Sequence, residues 1–202
     1  MQKRRLAIAA AVLVGAVSLA GCGSHKKDAG SSGSPSPTDN KPTVAAVSWP
    51  APSDATAQAK AAGLPMLGQE GQVLHIHSHL DVFVDGKPVT VPAEIGIDLA
   101  KQQISPLHTH DTSGVVHIES PVKRDFTLGE FMTEWNVPIS KDALGQLKTG
   151  GGKELHVYVN GKEKTGDPAA LKLDAHDEIA IVYGTASEKV QVPTSYNWPK
   201  GL

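Results

Sequence analysis

The stretch VLHIHSHLDVFV at positions 73–84 alternates in a way no helix accommodates. Ile76, Leu80, Val82 and Val84 fall on one parity, and His75, His77, His79, Asp81 and Phe83 on the other. A repeat of two belongs to a strand, whose successive side chains point to opposite faces. One face of this strand must be buried under an apolar layer, while the other presents three imidazoles in a row. Any fold for the chain has to supply that layer on one side only.

A second stretch makes the same demand. In LHTHDTSGVVHIES (107–120) the chain approaches a turn at DTSG. It leaves with Val116 and Ile118 on one face and His117 and Glu119 on the other. Asp85-Gly86 and Asn160-Gly161 are hairpin turns, the first returning through Val89 and Val91. LKLDAHDEIAIVYG closes with the apolar run Ile179, Ala180, Ile181 and Val182. FTLGEFMTEWNVP (126–138) is the main helix, with a capping box of Thr127 and Glu130 and an end marked by Pro138. Leu128, Phe131, Met132 and Trp135 fall at i, i+3, i+4 and i+7, a stripe for burial. Shorter helical pieces are expected at 51–64, with Ser53 as N-cap, and in SKDALGQLK. The pattern predicts an α+β domain: a single mixed or antiparallel sheet with one main helix on its apolar face. The closing strands look like those of a β-grasp domain.

The N-terminus is of another kind. Residues 1–21 join a basic MQKRR to an apolar LAIAAAVLVGAVS, a secretory signal too short and wrongly flanked for a stable membrane span. LAGC resembles the bacterial lipobox, which would make Cys22 the lipidated first residue of the mature chain. Cys22 is the only cysteine, so acylation leaves no thiol for a disulfide, a metal ligand or a nucleophile. Residues 22–48, rich in Gly, Ser and Pro, read as a flexible tether reaching roughly 25–30 Å. Residues 49–202 remain as one histidine-rich domain. Loss of Lys3, Arg4 and Arg5 with the leader takes the formal charge from −2 to −5, and nothing offers the basic face that nucleic acid requires. The expected location is outside the cytoplasm, anchored through lipid to the bacterial cell membrane.

Six of the nine histidines sit in the two patterned stretches: His75, His77, His79, His108, His110 and His117. Imidazole is the commonest metal ligand. An H-x-H pair on a strand points both rings the same way, roughly 7 Å apart at Cβ, close enough to converge on one ion. His75 and His79, roughly 13 Å apart at Cβ, cannot close on a single ion. Either two neighbours join a ring from the second stretch, or the face holds more than one ion. His77 belongs to both possible pairs, and His117 is its natural cross-strand partner. Asp111, Glu119 and Asp81 can ligate directly, but their expected role is to accept the free ring N–H of a ligand. Asp111 is equally a turn residue bonded to its own backbone. His25 is expected to be solvated, and His156 and His176 are expected to be surface or satisfied core residues. Protons compete for imidazole, so affinity is expected to fall as pH drops through about 6.5.

A thiol-free, nitrogen-rich site in a secreted protein points to copper, with zinc as the alternative. Met66 is the only methionine close to the histidines in sequence. The blocks HIHSHLDVFVDGKPVTVPAEIGI, SPLHTHDTSGVVHIES and FTLGEFMTEW, with the YNWPKGL end, resemble a family of bacterial extracytoplasmic histidine-rich lipoprotein domains. The resemblance covers most of residues 49–202. It implies a secreted, copper-associated domain and brings no particular activity. The expected function is a binding protein that holds copper for delivery or detoxification, with a copper-accepting protein as its partner. The alternatives are a metalloenzyme activating water or oxygen on histidine-bound zinc or copper, and an envelope interaction domain whose histidines respond to pH. No nucleophile–base pair or phosphate loop stands out in the sequence.

Overall fold

The alternating stretch forms the central strand of the computed structural model, which describes residues 46–202, all within a unit running from Thr43 to Leu202. The leader, Cys22, His25 and most of the tether lie outside the described residues. Val47, near the end of the stretch read as tether, packs against the core.

Seven strands make the main sheet: β1 (Leu74–Val84), β2 (Lys87–Val89), β3 (Leu107–His108), β4 (Val115–Ser120), β5 (Lys153–Val159), β6 (Lys162–Lys164) and β7 (Glu178–Thr185). Their order is β6-β5-β7-β1-β4-β3, with β2 paired to β1. The end of β1 runs parallel to β7, from His79↔Glu178 to Val84↔Tyr183. Its start runs antiparallel to β4, from Leu74↔Ser120 to His79↔Val115. First and last strands lie side by side in parallel, β1 joined by a hairpin to β2 and β7 flanked by the β5–β6 hairpin, in one mixed sheet as expected. Both hairpin turns use left-handed backbone: φ is 52° and 75° at Asp85-Gly86 and again at Asn160-Gly161. This is the type I′ geometry those dipeptides favour. The return strand β2 is shorter than expected, and Val91 is buried in the loop beyond it.

Helix α2 (Leu128–Glu134) starts on the predicted capping box, with Thr127 and Glu130 bonding each other's backbone. Leu128, Phe131, Met132 and Trp135 are at most 1% exposed, and they join Leu80, Val82, Val116 and Ile118 in one core. Trp135 caps the helix and donates its indole N–H to the Trp49 carbonyl at 3.0 Å. The helix stops before Pro138, because Asn136 turns left-handed at φ 60°. Helix α1 (Ala55–Ala61) is capped by Asp54 rather than Ser53: the carboxylate accepts the Ala57 N–H at 2.9 Å.

SKDALGQLK departs from its expectation. It forms a three-stranded ribbon of Ile139–Ser140, Ala143–Leu144 and Leu147–Lys148. Gly145, at φ 58°, returns its N–H to the Pro138 carbonyl, which closes a turn where a helix would need right-handed backbone. Leu144 is fully buried by this arrangement.

Candidate metal centre

Register gathers the imidazoles. On the side of β1 away from the α2 core, His77 pairs with His117, His75 with Glu119, and His108 of β3 with His117. Directly paired residues share a face, so His75, His77, His108, His117 and Glu119 stand together on it. The loop after β3 adds His110. Rings touch in sequence: His75 to His77 at 5.2 Å between centroids, His77 to His117 at 4.6 Å, and His110 to His117 at 4.5 Å. His108 stacks on His117 at 5.1 Å.

Glu119 is the hub, 2% exposed. It accepts the His117 Nδ1–H at 2.9 Å on Oε1. The same oxygen lies 3.4 Å from His75 Nε2 and 3.7 Å from His77 Nε2, and Oε2 is 3.9 Å from His108 Nε2. His108 donates its Nδ1–H to the Ser105 carbonyl at 2.9 Å, which leaves its Nε2 lone pair free. That nitrogen is 3.2 Å from His110 Nε2. Two ligand nitrogens sharing one ion at bonds of about 2.0–2.1 Å stand about 3.3 Å apart in a tetrahedron. His108, His110 and His117 thus offer three nitrogens that can converge on one ion, and His75, His77 and Glu119 form a neighbouring group. His77 Nε2 and Glu119 Oε2 are buried without a hydrogen-bond partner. Native proteins rarely leave such atoms unsatisfied, so an occupant is called for. A buried histidine cluster around Glu119 that can hold a metal ion is therefore in place.

The electrostatics suit a cation. Burial, reinforced by neighbouring His117 and His75, lowers the His77 pKa to about 4. Burial lowers that of His108 to about 3, against the pull of Glu119. Burial works against the Glu119 carboxylate, but the His117 hydrogen bond and the surrounding imidazoles outweigh it and bring its pKa down to about 2. At neutral pH His77 and His108 carry free lone pairs beside a fixed negative charge. Proton competition at these two rings, expected near pH 6.5, is moved to more acid pH.

His79 shares the face and not the environment. Its Nδ1 lies 2.9 Å from Glu178 Oε2 and its Nε2 2.8 Å from the Ser113 carbonyl. The carbonyl can only accept, so Nε2 donates to it, while Nδ1 shares a proton with Glu178, whose own pKa is raised by burial. Burial opposes a charge on the ring, but the Glu178 bond and charge prevail and raise the pKa. Tyr196 stacks on the ring at 3.8 Å between centroids. Gly114, at φ 88°, lets the turn close over it, since a Cβ there would stand 2.9 Å from His79 Nε2. His79, expected among the metal ligands, lies apart from the other five and groups with Asp81 and Glu178, their ligand atoms within 4.8 Å of one another, with Glu178 as its hydrogen-bond partner. Asp81, 3.9 Å from His79 Nδ1, belongs to this group and not to the cluster.

Asp111 serves the turn: its carboxylate accepts the Ser113 N–H at 2.8 Å rather than a ligand ring. Glu119 fills the expected supporting place behind His117 and also faces His75 and His77. Met66 packs against the core. His156 lies between the exposed carboxylates of Glu163 and Glu154. His176 stacks on Trp198 in a turn. Sequence reasoning missed Glu70, 3.6 Å from His110 Nε2, along with Glu178 and Tyr196. None of the three lies in a histidine pattern, so only the tertiary path brings them in. Comparison with protein-family models, curated proteins and solved structures finds no match for the chain.

Proposed function

We propose that this chain is a lipid-anchored, extracytoplasmic copper-binding protein that holds copper on its histidine cluster for delivery to an accepting protein or for detoxification. The observation that carries the reading is the convergence of His108, His110 and His117, with two of their Nε2 atoms 3.2 Å apart. The donors are nitrogen and carboxylate oxygen, with no thiolate and no methionine sulfur among them. That set suits copper(II) first in the affinity order and zinc after it. The lipobox-like LAGC ending on Cys22 supports the anchor. The resemblance of the histidine blocks to extracytoplasmic lipoprotein domains supports the location.

Metal analysis of the purified full chain, followed by electron paramagnetic resonance of the copper(II)-loaded form, tests the reading. A copper signal with nitrogen hyperfine structure is expected, and preferential retention of zinc would replace copper in it. Cys22→Ser should move the protein out of the membrane fraction. A variant that stays there removes the lipid anchor from the proposal.

A further inference from the structure

Resting on that metal-binding reading, we infer that the cluster is built for two ions, the second held by His75, His77 and Glu119, with Glu119 linking both positions. Of the groups whose ligand atoms lie within 4.8 Å of one another, two trios on the cluster share no residue: an inner one of His108, His110 and His117, and an outer one of His75, His77 and Glu119. The outer trio has Glu119 Oε1 at 3.4 Å from His75 Nε2 and 3.7 Å from His77 Nε2. Ligand atoms around one small cation stand about 3–3.6 Å apart for bonds near 2.0–2.2 Å, so the first distance falls in that range and the second lies just beyond it.

An unsatisfied atom points the same way. A single ion on the inner trio leaves His77 Nε2 without a partner, although His77 is 5% exposed. An orphaned buried donor or acceptor is costly, and an ion in the outer trio satisfies it. That ion meets Glu119 through Oε1, while the unpartnered Oε2 faces His108 at 3.9 Å.

Glu119 has a different part in each position. For the inner ion it stands behind His117, accepting the Nδ1–H at 2.9 Å and fixing the tautomer that frees Nε2. For the outer ion it is itself a ligand. Access does not separate the positions: the His110 side chain is 44% exposed and that of His75 42%, so each trio has one ring in solvent. Two cations sharing one carboxylate repel, and the outer one competes with His117 for Oε1. The inner position therefore fills first and the outer one binds more weakly, which makes the outer ion the exchangeable one.

Equilibrium dialysis of the full chain against copper(II) chloride, with metal and protein quantified, reads the count directly. Two ions per chain are expected, in a tight and a weak step. His75→Ala, at a half-exposed position that the fold does not need, should reduce the count to one and remove only the weak step. His156→Ala should leave two. Glu119→Gln should abolish the weak step and weaken the tight one by roughly 10–100-fold. A plateau of one ion that His75→Ala leaves intact would overturn the second position while leaving metal binding standing. Two ions in His75→Ala would equally remove the outer trio. No ion at all in the wild-type chain would bring down the metal reading itself.

Discussion

His77 and His79 are two residues apart on one strand and face the same way, yet they have opposite chemistry. Burial and neighbouring imidazoles hold the His77 ring neutral, with a pKa near 4 and a nitrogen that meets no partner. His79 is pushed toward the charged form, with its nitrogens engaged by Glu178 and the Ser113 carbonyl and Tyr196 stacked on the ring. Imidazole is thus a ligand or a cation according to what lies at its two nitrogens. A neutral ring whose nitrogen meets no partner is free to bind metal. A ring between a carboxylate and a carbonyl is pushed toward the cation.

Metal affinity should separate the two regions most. His117→Ala is expected to lower copper(II) affinity by more than the 10–100-fold that losing a supporting group typically costs, whereas His79→Ala leaves it unchanged. Equal losses in a competition titration would erase the distinction. Stability should rank the same face in reverse. His79→Ala leaves the buried Glu178 carboxyl, whose pKa burial raises, without its partner and is expected to cost roughly 3–5 kcal/mol. His75→Ala, at an exposed site, should stay within about 0.5 kcal/mol. Urea unfolding at pH 6 measures both. Trp135→Ala, in the layer beneath the two regions, should also cost roughly 3–5 kcal/mol. Its effect should fall on unfolding and not on the number of ions bound.

Proton linkage should divide the regions by sign. His77 and His108 have folded pKa values of about 4 and about 3 against a reference near 6.5. The unfolded chain takes up their protons first, so stability falls as pH drops from about 6.5 toward 3. His79 is raised, so its contribution is complete below about 6.5 and is lost as pH rises through its folded value. Ring resonances followed by nuclear magnetic resonance should find His77 and His108 neutral at pH 5.5 and His79 still charged at pH 6.5. The reverse assignment would undo the comparison.

A last pH effect lies on the other side of the sheet. Neither Glu134 oxygen makes a well-formed hydrogen bond, and burial, partly opposed by the nearby Ser105 hydroxyl, raises its pKa to about 8. Stability is then lost as pH rises from about 4.5 through 8, because only the unfolded chain ionises freely. Glu134→Gln should flatten the change in melting temperature between pH 5 and pH 8. An unchanged slope would place a counter-charge at that carboxyl.

The residues of the site were legible as a face and not as a site. Alternation in VLHIHSHLDVFV put His75, His77 and His79 together because strand geometry is local and needs no partner. The same local logic gave the two type I′ turns and the buried stripe of α2. It failed at SKDALGQLK, a short segment of weak pattern where a left-handed Gly145 and the burial of Leu144 decide the outcome. It also could not separate His79 from its neighbours, since Glu178 is 99 residues away along the chain.

What the sequence alone determined is therefore which side chains share a side of the sheet, because pleat and helix periodicity are properties of the backbone. Only the tertiary structure decided which nitrogens stay free. The pairing of His77 with His117 comes from the register of β1 on β4, and the pairing of His79 with Glu178 from the parallel register of β1 on β7. Those registers are set by packing across the whole sheet. Glu119 becomes a hub for the same reason: its parity made it a neighbour of the histidines, and burial with no competing cation left its charge to them.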